Sequence, residues 1–264
     1  MQIPKPHYAT NLNDKEWKQI EKLVPAAKPG GRPAKHTRRH ILDGILYIVK
    51  TGCQWHLLPN DFPPYKTVYH YYAQWAREGI WQLIHDRLRD EVRRRAGRKP
   101  SPRAAILDSQ SVKHADASAQ TGYDAGKKIK GRKRHLLVDT MGLVLALLVT
   151  GADVQDREGA RMLLSRCWFL FGRLQVIWAD SGYLGKLVGW VKSLRPFGRL
   201  HLEVVARAAG GGFQLVRKRW IVERTFSWLY KSRRLGKDYE RNPQHSEAMI
   251  YISMTHLMLR RLAR

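Results

Sequence analysis

The apolar positions change period along the chain, and the change separates two kinds of structure. In the first hundred residues they recur every three to four positions, the spacing of helices with one buried face. Asn13, with Glu16 three residues on, has the form of a capping box, and Trp17, Ile20, Leu23 and Val24 share one face of a helix over 13–24 that Pro25 stops. Gly30-Gly31-Arg32-Pro33 reads as a loop, and Thr37 precedes a second amphipathic run, Ile41, Leu42, Ile45, Leu46, Ile48 and Val49, ended by Gly52. A third helix over 67–77 follows Pro63-Pro64, with Tyr69, Tyr72 and Trp75 at core spacing and Thr67, His70, Gln74 and Arg77 facing elsewhere; a fourth runs from Ile80 to about Arg95. This order has helix-turn-helix character, although the connection from Gly52 to Pro64 is longer than the tight turn of that motif.

After the basic run Arg93–Pro100 the pattern shortens. Residues 104–112, 134–138 and 143–150 read as consecutive strands, with Asp139-Thr140-Met141-Gly142 as the turn between the last two. A helix over 158–171, a strand over 175–179, a helical stretch over 183–194, a strand over 202–206 and helices over 216–232 and 246–261 complete the series. Three antiparallel strands followed by alternating helix and strand describe an α/β fold with a mixed sheet flanked by helices. The expected division is a helical unit over 1–98 and an α/β unit over 99–264.

Charge narrows the function. Forty-eight Lys and Arg against 22 Asp and Glu leave a formal +26, the footprint of a chain that handles a polyanion. The longest apolar run, Leu143 to Val149, is far too short to span a bilayer, so nucleic acid is favoured over membrane. The first residues have no apolar core of signal-peptide type, which points to a cytoplasmic protein. Cys53 and Cys167 lack metal-site spacing and read as core thiols; His114 and His135 form no zinc pattern and read as polar contacts or core.

Two strand-like runs end in aspartate, Asp108 and Asp180, and Glu223 lies inside a later basic helix. An aspartate closing a strand is most often a turn or cap residue, and Glu223 alone would suit a surface salt bridge with Arg219 one turn earlier. Together they form a set of hard oxygen ligands of the kind that holds Mg²⁺ beside substrate phosphates. The words around them carry more. Thr51-Gly52-Cys53-Gln54-Trp55, Leu107-Asp108-Ser109-Gln110-Ser111, Lys130-Gly131-Arg132-Lys133-Arg134-His135, Ala179-Asp180-Ser181-Gly182-Tyr183 and Trp220-Ile221-Val222-Glu223-Arg224 follow one another over most of the chain, with Gly31-Arg32-Pro33 ahead of them. In this series the chain resembles the DDE transposases of bacterial insertion sequences, the insertion-sequence-five family.

That resemblance implies a ribonuclease-H-like catalytic domain with Asp108, Asp180 and Glu223 as catalytic and metal-binding acids, and two divalent ions, Mg²⁺ or Mn²⁺, as cofactors. It implies double-stranded DNA as partner, as terminal inverted repeats and as target, a homodimer or higher oligomer in the synaptic complex, and a place on the bacterial nucleoid. Spacings of 72 and 43 residues between the acids leave little room for a large insertion before Glu223. In the wider superfamily's pattern around the glutamate, Arg219 stands in register, Val216 replaces a Tyr, and Lys231 lies one residue late. For DNA contact the expected residues are Lys127, Lys128, Lys130, Arg132, Lys133 and Arg134 as a phosphate grip, with Arg219 and Lys231 near the acids. Lys66, Thr67, His70, Gln74 and Arg77 of the third helix are the candidates for reading the repeat ends. The alternatives are a nucleic-acid-binding relative that has lost its chemistry or does not join strands, and a stand-alone metal-dependent nuclease of the same fold.

Overall fold

The structure is a computed structural model that describes residues 8–26, 34–115, 120–195, 198–205 and 218–264. Its main elements are α1 (Asp14–Ile20), α2 (Arg38–Thr51), α3 (Tyr65–Arg77), α4 (Ile80–Arg95), β1 (Ala104–Lys113), β2 (Gly122–Asp124), β3 (Ile129–Asp139), β4 (Val144–Gly151), α5 (Asp156–Cys167), β5 (Val176–Asp180), α6 (Lys186–Ser193), β6 (His201–Val205), α7 (Arg219–Tyr230) and α8 (Pro243–Leu262). The expected loop at Gly30–Pro33 and the position of Val216 lie outside the described residues.

The chain forms two compact units, 1–92 with 229–236 and 244–264, and 93–228 with 237–243. The units depart from the division expected at residue 98, because α8 groups with the N-terminal helices. The reason is burial: Met249, Ile250, Ile252, Met254, Met258 and Leu259 are all nearly inaccessible, so α8 is a core element of the helical unit. Tyr72 donates its hydroxyl to the His245 carbonyl (2.8 Å), the His85 and Tyr251 rings meet at 5.0 Å, and Arg260 pairs with the buried Glu16 (3.2 Å). At the start of the unit, the Asn13 side chain accepts from the Glu16 amide and Glu16 accepts from the Asn13 amide, both at 2.9 Å. The Thr37 hydroxyl caps α2 by accepting from the His40 amide, and Gly52 ends that helix at φ 71°. Tyr69 departs from its expected core place: it is 40% exposed at the rim, edge-on to Trp55.

In the second unit the sheet runs β2-β3-β1-β5-β6, and β4 also pairs with β3. β3 is antiparallel to β1, β2 and β4, whereas β1–β5 and β5–β6 are parallel. Strand β2 is an addition to the predicted set; it pairs three residues with the first three of β3, in line with the end of β4. The flanking elements leave β1 in the centre. Its odd positions, Ala105 and Leu107, enter a core with Leu137, Ile177 and Ala179 of the neighbouring strands and Leu163, Leu164, Leu187 and Val191 of α5 and α6. Helix α5 comes so close to β3 that a Cβ on Gly159 would collide with the His135 ring. Asp139, a third strand-end aspartate, is structural: fully buried and paired with Arg93, its Oδ1 accepts from the amides of Met141 and Leu143 and builds the β3–β4 turn.

Candidate active site

Side chains alternate across a strand, so Asp108 projects from the face of β1 opposite Ala105 and Leu107, and Asp180 from the face of β5 opposite Ile177 and Ala179. The parallel register sets Ile106 beside Trp178. Asp108 and Asp180 each follow this last pair by two residues, and the Asp180 charge is felt at Asp108. Asp108 Oδ1 accepts from the Ser109 amide at 2.7 Å; Asp180 Oδ1 accepts from the Gly182 amide at 3.0 Å, capping the turn at Ser181–Tyr183.

Helix α7 contributes Glu223, whose side chain is 57% exposed, and Arg219 one turn before it. The Arg219 guanidinium lies between acids from two elements, with Nη2 3.5 Å from Asp180 Oδ2 and Nε 3.3 Å from Glu223 Oε1. Burial pushes the Asp108 carboxyl up to about 6; the Ser109 amide and the Arg219 and Lys127 charges oppose this, and the Asp180 charge adds to it. Asp180 and Glu223 thus contact the same guanidinium, and Asp108 is close enough to feel its charge. The donors are carboxylate oxygens without imidazole or thiolate, a set that suits Mg²⁺ or Mn²⁺. Among the described residues, no three His, Cys, Asp or Glu side chains are gathered tightly enough to hold a metal ion as they stand.

Behind β1, on its other face, lies a polar group absent from the expected site. Lys133 of β3 pairs with Asp156 (3.0 Å) and Asp124 (3.4 Å) and donates to the Val154 carbonyl. The Ser109 and Ser111 hydroxyls bond Asp156 (2.8 Å) and Asp124 (2.5 Å). Partial burial pushes Asp124 upward, but the Ser111 hydroxyl, the Lys127 amide and the Lys133 ammonium prevail and hold it at about 2.

The basic segment divides accordingly. Lys127, Lys128 and Lys130 are exposed. Arg132, Lys133 and Arg134 are instead buried, which corrects their assignment to a phosphate grip. Arg132, wholly inaccessible, donates to the carbonyls of Glu240 and Arg241 at 2.6 Å each and pairs with Asp238, tying residues 238–241 to β3. A side chain enclosed in this way cannot reach a backbone phosphate.

On α3, Lys66, His70 and Arg77 are exposed and Thr67 and Gln74 half-buried, so the five share an open strip, with Gln74 donating to Glu78. Lys231, exposed, follows the end of α7 in the other compact unit from Glu223. His114 bonds the Glu240 carbonyl (3.1 Å) and His135 the Thr150 hydroxyl (3.0 Å), the polar and core roles expected of them. Cys167 is buried and Cys53 half-buried, both as free thiols. Among the described residues, no helix is long and apolar enough to cross a membrane.

Comparison with known proteins gives this geometry its context. The family described as "Putative transposase of IS4/5 family" matches residues 12–85, and the family described as "Transposase DDE domain" matches residues 99–259. Among curated proteins, the chain is 33% identical over 118 residues to a "Putative transposase for insertion sequence element IS402" of Burkholderia cepacia, covering 42% of this chain and 54% of that protein. A second Burkholderia cepacia protein, "Insertion element IS402 uncharacterized 16.2 kDa protein", is 31% identical over 119 residues, 42% of this chain and 78% of its own. The chain thus spans about half the length of the first of these relatives. Two aspartates on adjacent parallel strands, a glutamate on the closing helix and a family match over the whole sheet region converge: the chain belongs to the DDE transposases of insertion sequences.

Proposed function

We propose that Asp108, Asp180 and Glu223 are the catalytic acids of a transposase that cuts DNA at the ends of its element and joins the freed 3′-hydroxyl to target DNA. What supports this reading most is the parallel β1–β5 register, which pairs Ile106 with Trp178 two residues before Asp108 and Asp180, together with Arg219 pairing with both Asp180 and Glu223. Asp108, Asp180 and Glu223 would hold two divalent ions, Mg²⁺ or Mn²⁺. Such ions, when bound, activate the attacking oxygen and stabilise the leaving one in phosphoryl transfer. The chain's own contribution is positional. Asp108 is held on the central strand by the Ser109 amide, and Asp180 by its turn. Lys127, whose charge is felt at Asp108, belongs with Lys128 and Lys130 to an exposed group suited to hold the DNA backbone beside the acids. The strip Lys66, Thr67, His70, Gln74 and Arg77 is the candidate reader of terminal repeats, working in a dimer or larger assembly that brings two ends together. Arg219 and Lys231 are further candidates for DNA contact.

Replacing Asp108 or Asp180 with Asn, or Glu223 with Gln, should abolish metal-dependent cleavage of a labelled element end while the gel-shift of that DNA stays nearly unchanged. Phosphates are held by Lys and Arg, so loss of an acid leaves their grip intact. Wild-type cleavage in any one variant removes that residue from the set, and cleavage without joining by the wild type would favour the stand-alone nuclease.

A further inference from the structure

We infer that Arg219 is the resident counter-cation of the acidic site: it holds Asp180 and Glu223 together in the metal-free protein and competes with the divalent ion for them. The inference rests on the reading of Asp108, Asp180 and Glu223 as metal ligands.

A salt bridge one helical turn long would account for Arg219 and Glu223 alone, but the same guanidinium also reaches Asp180 on β5. Both contacts, at 3.3 and 3.5 Å, are longer than the 2.7–2.9 Å of a charge-assisted hydrogen bond, and the buried Arg219 Nε has no hydrogen-bond partner. Arg132 shows the contrast, with two carbonyl bonds of 2.6 Å and no exposure. Charge rather than hydrogen-bond geometry keeps Arg219 in place, and its side chain is 29% exposed, so a route to solvent is open.

Two features of the helix start support a role beyond folding. A cation in the first turn opposes the helix dipole, so Arg219 gains nothing there from the dipole of α7. Lys218, immediately before it, holds a left-handed backbone at φ 72° with its ammonium 3.6 Å from the centre of the Trp178 ring. For a residue with a side chain this is an unfavourable conformation, and such conformations concentrate at functional sites. The entry to α7 thus combines this conformation at Lys218 with the Arg219 contact to Asp180. A guanidinium displaced from these carboxylates would keep its charge and its planar fork of donors at the site, which would suit it to a second, anionic partner.

Manganese binding to the full chain without DNA, followed by the loss of the electron-spin signal of free Mn²⁺, tests this directly. Arg219→Gln should bind Mn²⁺ at least about tenfold more tightly than wild type, since one positive charge beside a divalent ion is worth more than this even at surface dielectric. Arg219→Lys, which keeps the charge, should stay close to wild type, and Asp180→Asn should bind more weakly. In chelator, Arg219→Gln should melt lower than wild type, and Mn²⁺ should raise its melting temperature by more. Unchanged or weaker Mn²⁺ binding in Arg219→Gln, with the loss in Asp180→Asn intact, overturns the role of Arg219 and leaves the acids standing. Equal binding in wild type, Asp180→Asn and Glu223→Gln, or none in any variant, overturns the acidic site and this inference together.

Discussion

Lys133 and Asp108 lie on adjacent strands yet belong to opposite faces of the sheet, and their substitution should therefore do different things. Lys133→Met would leave Asp124 and Asp156 without the ammonium that pairs with both, a loss of about 3 kcal/mol, the low end for a broken buried pair because Asp156 keeps a third of its exposure and the Lys127 charge still reaches both acids. Urea unfolding should show that loss while the salt dependence of DNA binding stays put; a shallower salt slope at unchanged stability would return Lys133 to the DNA. His135 makes a pH prediction. Burial lowers it from 6.5 to about 4, so between those values the unfolded chain takes up a proton that the folded one refuses. Stability should fall as pH falls through this window, by up to about 3 kcal/mol from this group. Melting curves at pH 7 and 4.5 should diverge less in His135→Asn than in wild type. The proposed acids were legible as candidates because strand ends and the words around them mark their places. The partition of Lys130 from Arg132, Lys133 and Arg134 was not, since a basic run reads the same whether its side chains meet water or carbonyl oxygens. Only the pairing of β3 on both sides, and the Asp238–Arg241 segment against it, decides.

At the scale of elements, caps and periodicity carried most of the reading. The capping box at Asn13, the Thr37 cap, the Gly52 terminus and the limits of α4 coincide with the helices found. Helix α5 starts two residues before its expected first residue, and its last turn gives way to a 3₁₀ turn at Trp168–Leu170. Strand β2 leaves no mark in the sequence pattern because Gly122-Tyr123-Asp124 is too short to alternate. The packing of α8 against the N-terminal helices was equally invisible, because a helix apolar on most of its surface announces burial without naming its partner. It also changes what an isolated fragment of the N-terminal helices can be. Residues 12–95 alone would leave Tyr72, His85 and Glu16, all buried in the full chain, without their α8 partners His245, Tyr251 and Arg260. Such a fragment should show no cooperative melting, whereas the same fragment mixed with, or linked to, residues 229–264 should regain it. Cooperative unfolding of 12–95 alone would show that α8 is dispensable to the fold.

For the molecule as a whole, a formal charge of +26 sets a binding term that is independent of sequence. If Lys127, Lys128 and Lys130 each neutralise a phosphate, changing all three to Ala should lower the slope of log K against log salt by about 2.7 in total, equally on repeat and random DNA. Single-turnover cleavage at saturating DNA should also slow, since Lys127 lies near enough for Asp108 to feel its charge. An unchanged slope would make the segment a solvated loop. The division of the chain has a consequence in time. Helix α4 ends at Arg95 and α8 begins at Pro243, so at roughly 5–20 residues per second a ribosome takes on the order of ten to thirty seconds to deliver the helix that the first four pack against. During that interval the nascent helices have no complete core. If the N-terminal unit reads element ends as proposed, a gene copy interrupted by a stop codon before position 243 should leave no folded fragment to occupy them, and decayed copies should be silent rather than inhibitory.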